Sequence, residues 1–223
     1  MNIIKTVSIF AFLALTCFGV NAIAASSNPN SGYLAVNSQS YNVQMNLIKR
    51  LQQINTFKAN YIQQVKVNNS LEQQSSGIIR FDNKGDINLS VKTPNPLEII
   101  SNSKVTWVYN PFIQQVTVSG NNNLNPFYIL VNSSSKFWQN AQVSKNGNNF
   151  IISIIKPTSN NISIIKITIY PNGDIENFSY ITTGNIVSTY NFFNTSLNNP
   201  LNFNFNFVIP KDTTISHGNS LSF

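Results

Sequence analysis

Proton transfer, nucleophilic attack and metal ligation need imidazoles, thiols or converging carboxylates, and this chain holds few of any. Its one histidine, His217, lies in a polar stretch near the end, and its one cysteine, Cys17, lies in an apolar run near the start. The seven acids are Glu72, Asp82, Asp86, Glu98, Asp174, Glu176 and Asp212. Asp86 and Asp174 fall in the turn sequences Lys84-Gly85-Asp86 and Pro171-Asn172-Gly173-Asp174, where aspartate serves local hydrogen bonding. Glu98 sits in an extended stretch beside Pro96, and Glu176 in a strand after a turn. A carboxylate pair formed across strands is open, but no spacing points to one. No glycine-rich phosphate loop and no histidine pair is present, and a single cysteine provides neither a disulfide framework nor a Cys-rich zinc site. The expectation is a protein that is not an enzyme and carries no cofactor and no metal.

The rest of the composition points to greasy surface held in a weakly charged frame. Of 223 residues, 42% are hydrophobic and 9% charged, against about 25% charged in an average globular domain. Asparagine, serine, glutamine and threonine supply the polarity instead. Disorder needs low hydrophobicity with high net charge, so the chain reads as globular, one domain in size. The net charge of +7 is scattered, with Lys49-Arg50 the only adjacent basic pair. Counterion-releasing binders cluster their cations, so no nucleic-acid partner is expected.

The elements can be read from periodicity. Lys5, an apolar run from about Val7 to Val20, and Ala22-Ile23-Ala24 make residues 1–24 a secretory signal peptide. A lipobox at Cys17 is poorly matched by the preceding Ala14-Leu15-Thr16, which leaves Cys17 as filler in the apolar run. Residues 25–36 read as a flexible leader. Residues 37–223 read as a single domain with a polar C-terminal tail. Val43, Leu47, Leu51 and Ile54, widened by Ile48, recur at helical spacing, with Ser38 or Ser40 as cap. Beyond about residue 58 the period becomes two. Alternation marks strands at Tyr61–Val67, Ile87–Val91, Val105–Tyr109, Gln114–Val118, Phe150–Ile154, Ile165–Ile169 and, most regularly, Asn202–Phe207. Residues 121–140 break the rhythm, and a short helix is expected near Pro126. The fold class expected is mostly β (α+β): one curved antiparallel sheet with helices on its concave face.

Several segments carry a resemblance. They are Trp107-Val108-Tyr109-Asn110-Pro111-Phe112 through Val118; Leu51-x-x-Ile54-x-x-Phe57-x-Ala59-x-Tyr61-x-Gln63; Asn125-Pro126-Phe127 through Trp138, with Lys145-Asn146-Gly147-Asn148-Asn149-Phe150; Tyr170-Pro171-Asn172-Gly173-Asp174-Ile175; and Phe205-Asn206-Phe207-Val208-Ile209-Pro210. In this order they resemble the periplasmic outer-membrane lipoprotein carrier family, LolA, over nearly all of residues 43–212.

The resemblance implies an unclosed half β-barrel with a helical lid over a hydrophobic cavity. It implies a monomeric periplasmic chaperone for lipoprotein transport. Its partners would be acylated lipoproteins, an inner-membrane ATP-binding-cassette releasing complex and an outer-membrane receptor. The acyl cavity would be lined on the sheet side by Ile87, Leu89, Val91, Trp107, Val116, Phe150 and Phe205. The lid would present Val43, Leu47, Leu51, Phe127, Ile129 and Leu130. The family's lid-locking arginine, followed by proline, aligns with Asn83 and Lys84, so Arg80, Asn83 and Lys84 are the locking candidates. Two alternatives of the same fold stay open: the outer-membrane receptor, itself a lipoprotein, and a lipid-sensing regulatory domain.

Overall fold

The computed structural model describes residues 38–120, 126–131, 138, 140–155 and 162–218. The expected signal peptide with Cys17, the leader and parts of the 121–140 stretch lie outside the described residues. The described residues begin with helix α1 (Ser38–Gln52). Six strands follow: β1 (Thr56–Val67), β2 (Ser70–Asp82), β3 (Ile87–Thr93), β4 (Leu97–Ser101), β5 (Val105–Asn110) and β6 (Gln115–Gly120). The short helix α2 (Tyr128–Val131) begins two residues after Pro126. Then come β7 (Ala141–Asn146), β8 (Asn149–Ile155), β9 (Ile162–Ile169), β10 (Ile175–Thr182), β11 (Ile186–Leu197) and β12 (Thr214–His217).

All twelve strands form one sheet in the order β12-β6-β5-β4-β3-β2-β1-β11-β10-β9-β8-β7. The two ends of that order are not joined, so the sheet is unclosed. Neighbours are antiparallel except β12, which runs parallel to β6 with Thr214 opposite Gln115. Turn residues explain the tight connections: Gly85, Gly147 and Gly173 take positive φ, as do Asn68, Asn69 and Asn185, and asparagine tolerates that region better than most residues.

Directly opposed residues of an antiparallel pair share a face, so the registers sort the side chains. Phe57, Phe81 and Ile87 form one rung; Ala59, Ile79, Leu89, Ile99 and Val108 form the next. On the other half, Phe192, Tyr190, Phe178, Ile167, Ile152 and Ile154 lie on the same face. All of these except Ile99 and Val108 pack with Ile48, Leu51, Phe127, Ile129, Leu130 and Trp138 in the principal core. Both helices therefore lie on this inner face. Phe57 stacks on Phe81 with ring centroids 4.6 Å apart, and Phe127 packs on Phe178 and Tyr190.

The outer face holds a second apolar layer. Ile100 and Val116 are buried there. Residues 201–213 are not a strand, although Asn202–Phe207 alternates more strictly than any other segment. They cross the outer face as an extended strap: Phe203 lies under the Arg80 guanidinium, 5.1 Å away, and Phe207 lies against Tyr109 at 5.4 Å. Alternation requires one packed side and one wet side, and a segment laid over a sheet meets that condition without ladder hydrogen bonds.

Candidate functional site

The site is the contact between the helices and the inner face. From α1, Leu51 and Ile48 are buried and Leu47 is partly buried against the core. Val43, expected on the lid's inner face, is 43% exposed and is not part of the core; it lies two turns before Leu51, nearer the helix start. Phe127, Ile129 and Leu130 are each no more than 3% exposed, so the short α2 segment is a plug set among Phe178, Tyr190 and α1.

On the sheet side, Ile87, Leu89 and Val91 fall on the inner face, where Val91 is opposite Gly77. Phe150 lies on that face too, opposite Ile169 and half-buried. Trp107, Val116 and Phe205 do not. Trp107 is opposite Ile100, which is opposite Asn88 and so shares a face with Arg80. Val116 is opposite Tyr109, and Phe205 lies in the strap against Phe203. All three belong to the outer layer. The reason is geometric: a period of two fixes which residues of one strand share a face, but only the register fixes which faces of two strands coincide.

The locking candidates separate in the same way. Arg80 points to the outer face, where its Nη1 donates to Asn88 Oδ1 at 2.7 Å; Asn88 Nδ2 donates in turn to Glu98 at 2.5 Å. It holds the strap, not the lid. Lys84 stands in the exposed turn after β2, its backbone N–H donating to Asp82. Asn83 does reach the lid's base. Its backbone N–H donates to the Asn55 carbonyl and its Nδ2 to Asn55 Oδ1, both at 2.8 Å.

Asn55 joins α1 to β1, and Asn198 holds the same joint from the other side. Asn198 Oδ1 accepts from the Asn55 N–H at 2.6 Å, and its Nδ2 donates to the Gln53 carbonyl. Sequence reasoning missed Asn198; its position just beyond a long strand gave no signal. It also missed Arg50, whose guanidinium lies against Gly173 in the turn between β9 and β10.

Beyond the apolar rungs the inner face turns polar. Ser75 Oγ donates to Gln63 Oε1 and Gln63 Nε2 donates to Ser188 Oγ, both at 2.9 Å. Tyr180 lies opposite Ser188 and Tyr190 opposite Phe178 on the same face. Burial pushes both phenols up. Among the described residues no group of three or more His, Cys, Asp or Glu could hold a metal ion, and no helix is long and apolar enough to cross a membrane.

An apolar floor under a helical plug, hinged at one joint, can exchange its own lid side chains for an apolar ligand. Comparison with known proteins bears on the family. The outer-membrane lipoprotein carrier protein of Proteus mirabilis is 35% identical over 149 residues, covering 65% of this chain and 73% of that protein. That of Actinobacillus succinogenes is 31% identical over 166 residues, 73% of this chain and 79% of that protein. That of Pasteurella multocida is 32% identical over 170 residues, 74% and 82% of the two chains. The description "Outer membrane lipoprotein carrier protein LolA" fits residues 52–208 as a family, and with an unclosed sheet, an inner-face lid and these relatives, the chain belongs to the LolA family.

Proposed function

We propose that this protein carries lipoproteins between membranes in the periplasm, shielding their acyl chains between lid and sheet. An inner-membrane ATP-driven complex would load it and an outer-membrane receptor would unload it. The observation that carries the reading is the plug: Leu51, Phe127, Ile129 and Leu130 are buried on an otherwise apolar floor.

The energetics suit a shuttle. Burying four such side chains stabilises the closed form by roughly 1.5–3 kcal/mol each, and each acyl methylene transferred to the floor returns about 0.8 kcal/mol. About 8–15 methylenes offset the plug on those figures. Uptake of acyl chains is then favourable without being irreversible, because the plug competes for the same surface.

The test uses spheroplasts that have accumulated a newly made triacylated lipoprotein in the inner membrane. Added protein should bring the lipoprotein into the supernatant as a soluble complex, dependent on ATP. A folded protein that releases none would refute the carrier reading.

A further inference from the structure

Tyr61 stands where the inner face changes character. On one side of it along β1 lie the rungs of Ala59 with Ile79 and of Phe57 with Phe81; on the other lies the rung of Gln63 with Ser75. The Tyr61 ring is fully buried and packs edge-on against Tyr190, with centroids 5.4 Å apart. Its hydroxyl reaches over Gly77, where a Cβ would stand 3.0 Å from the oxygen and would run into the Ser90 carbonyl. Lacking a Cβ, Gly77 lets both the phenol oxygen and the Ser90 carbonyl come this close to its backbone.

The polar side chains of the next rung are satisfied: Ser75 donates to Gln63 and Gln63 to Ser188. The Tyr61 hydroxyl has no hydrogen-bond partner among the described residues. A buried donor left unmade is costly. Burial, with the Glu98 carboxylate second, pushes this phenol well above its ordinary range, so it remains a donor at any physiological pH.

An acylated cargo is an amphiphile whose ester or amide carbonyls lie between tails and head group. Resting on the carrier reading, we propose that the Tyr61 hydroxyl donates to an acyl carbonyl of the bound lipoprotein. The tails then point toward Phe57 and Phe81, and the head group leaves past Gln63 and Ser75. The apolar rungs bind chains without direction; Tyr61 sets how far in they sit.

Tyr61→Phe removes only the hydroxyl and keeps the ring. Two probes are titrated against both proteins: a synthetic triacylated lipopeptide, and 1-N-phenylnaphthylamine, which is apolar and has no carbonyl. The variant should bind the lipopeptide about fivefold to tenfold more weakly and the naphthylamine unchanged. Lipopeptides carrying ¹³C at the ester or at the amide carbonyl should show one infrared band lowered in the wild type and restored in the variant, and the label that moves identifies the acceptor. Equal lipopeptide affinity with an unmoved band overturns the proposal. So does parallel weakening of both probes, which would make Tyr61 a packing residue. A wild type that binds the naphthylamine but no lipopeptide overturns the carrier reading itself.

Discussion

The Arg50 guanidinium occupies the space in which a side chain on Gly173 would begin. This places the last turn of the lid helix on the turn between β9 and β10, across the sheet from its attachment to Asn83. The helix end is held from two sides, by a cation resting on a glycine and by paired amides.

Gly173 has φ +89, so alanine there is strained as well as obstructive, at a cost of about 1–2 kcal/mol. Gly173→Ala should displace Arg50 and raise amide exchange in α1 while strand exchange stays near wild type. Arg50→Ala should raise α1 exchange similarly, with a smaller loss of global stability. Exchange unchanged by both would show that the contact does not hold the lid.

Asn83→Ala removes the side-chain bond to Asn55 and leaves the backbone bond. An exposed neutral hydrogen bond contributes at most about 0.5–1.5 kcal/mol. Urea denaturation should register a loss in that range. Removal of the lid's amide joint should also speed uptake of an apolar fluorescent probe, measured by stopped flow.

Arg80→Ala should act on the opposite face. It removes the cation over Phe203 and leaves Asn88, fully buried, without its donor; about 1–3 kcal/mol is expected for the orphaned group. Limited proteolysis should cut sooner within residues 201–213, with α1 exchange unaltered. A loosened lid in this variant would contradict the assignment of Arg80 to the strap.

Leu89 lies on the inner face and is only partly buried, so a carboxylate there can keep some hydration. Leu89→Glu should retain its circular dichroism spectrum and lose lipoprotein release from spheroplasts. Full release by this variant would remove Leu89 from the acyl floor.

Alkaline titration tests the buried phenols. In the unfolded chain a tyrosine deprotonates near 10.0, whereas Tyr61, Tyr180 and Tyr190 stay protonated above that in the fold. The folded state then holds protons the unfolded state has lost. Their contribution is fully present below about pH 10 and is lost as pH rises beyond it, at up to roughly 1.4 kcal/mol per pH unit for each tyrosine. Tyr190→Phe should reduce the slope of denaturation free energy against pH by one proton.

Legibility followed the physics of each element. The helix was readable because Leu47, Ile48 and Leu51 recur at its period, and β3, β5, β8 and β9 because one face of each is apolar. β12 was not: Thr214–His217 is polar, and only its parallel pairing with β6 makes it a strand. The strap looked like a strand because Phe203, Phe205 and Phe207 need one packed side, and the side alone does not specify ladder partners. Within the site, helical spacing and the apolar block after Pro126 point to Leu47, Leu51, Phe127, Ile129 and Leu130, which pack on the inner face, but also to Val43, which is exposed. Trp107 and Val116 were assigned to the wrong face because registers are set by turns that periodicity does not count. Asn83 was found only through its departure from the family's arginine, and Asn198 through nothing in its neighbourhood.

The strap also divides the sheet mechanically. Phe203 ties the strap to β2 at Arg80 and Phe207 ties it to β5 at Tyr109 from outside, while the principal core holds β2 and β3 from inside; such a laminate resists a change of curvature.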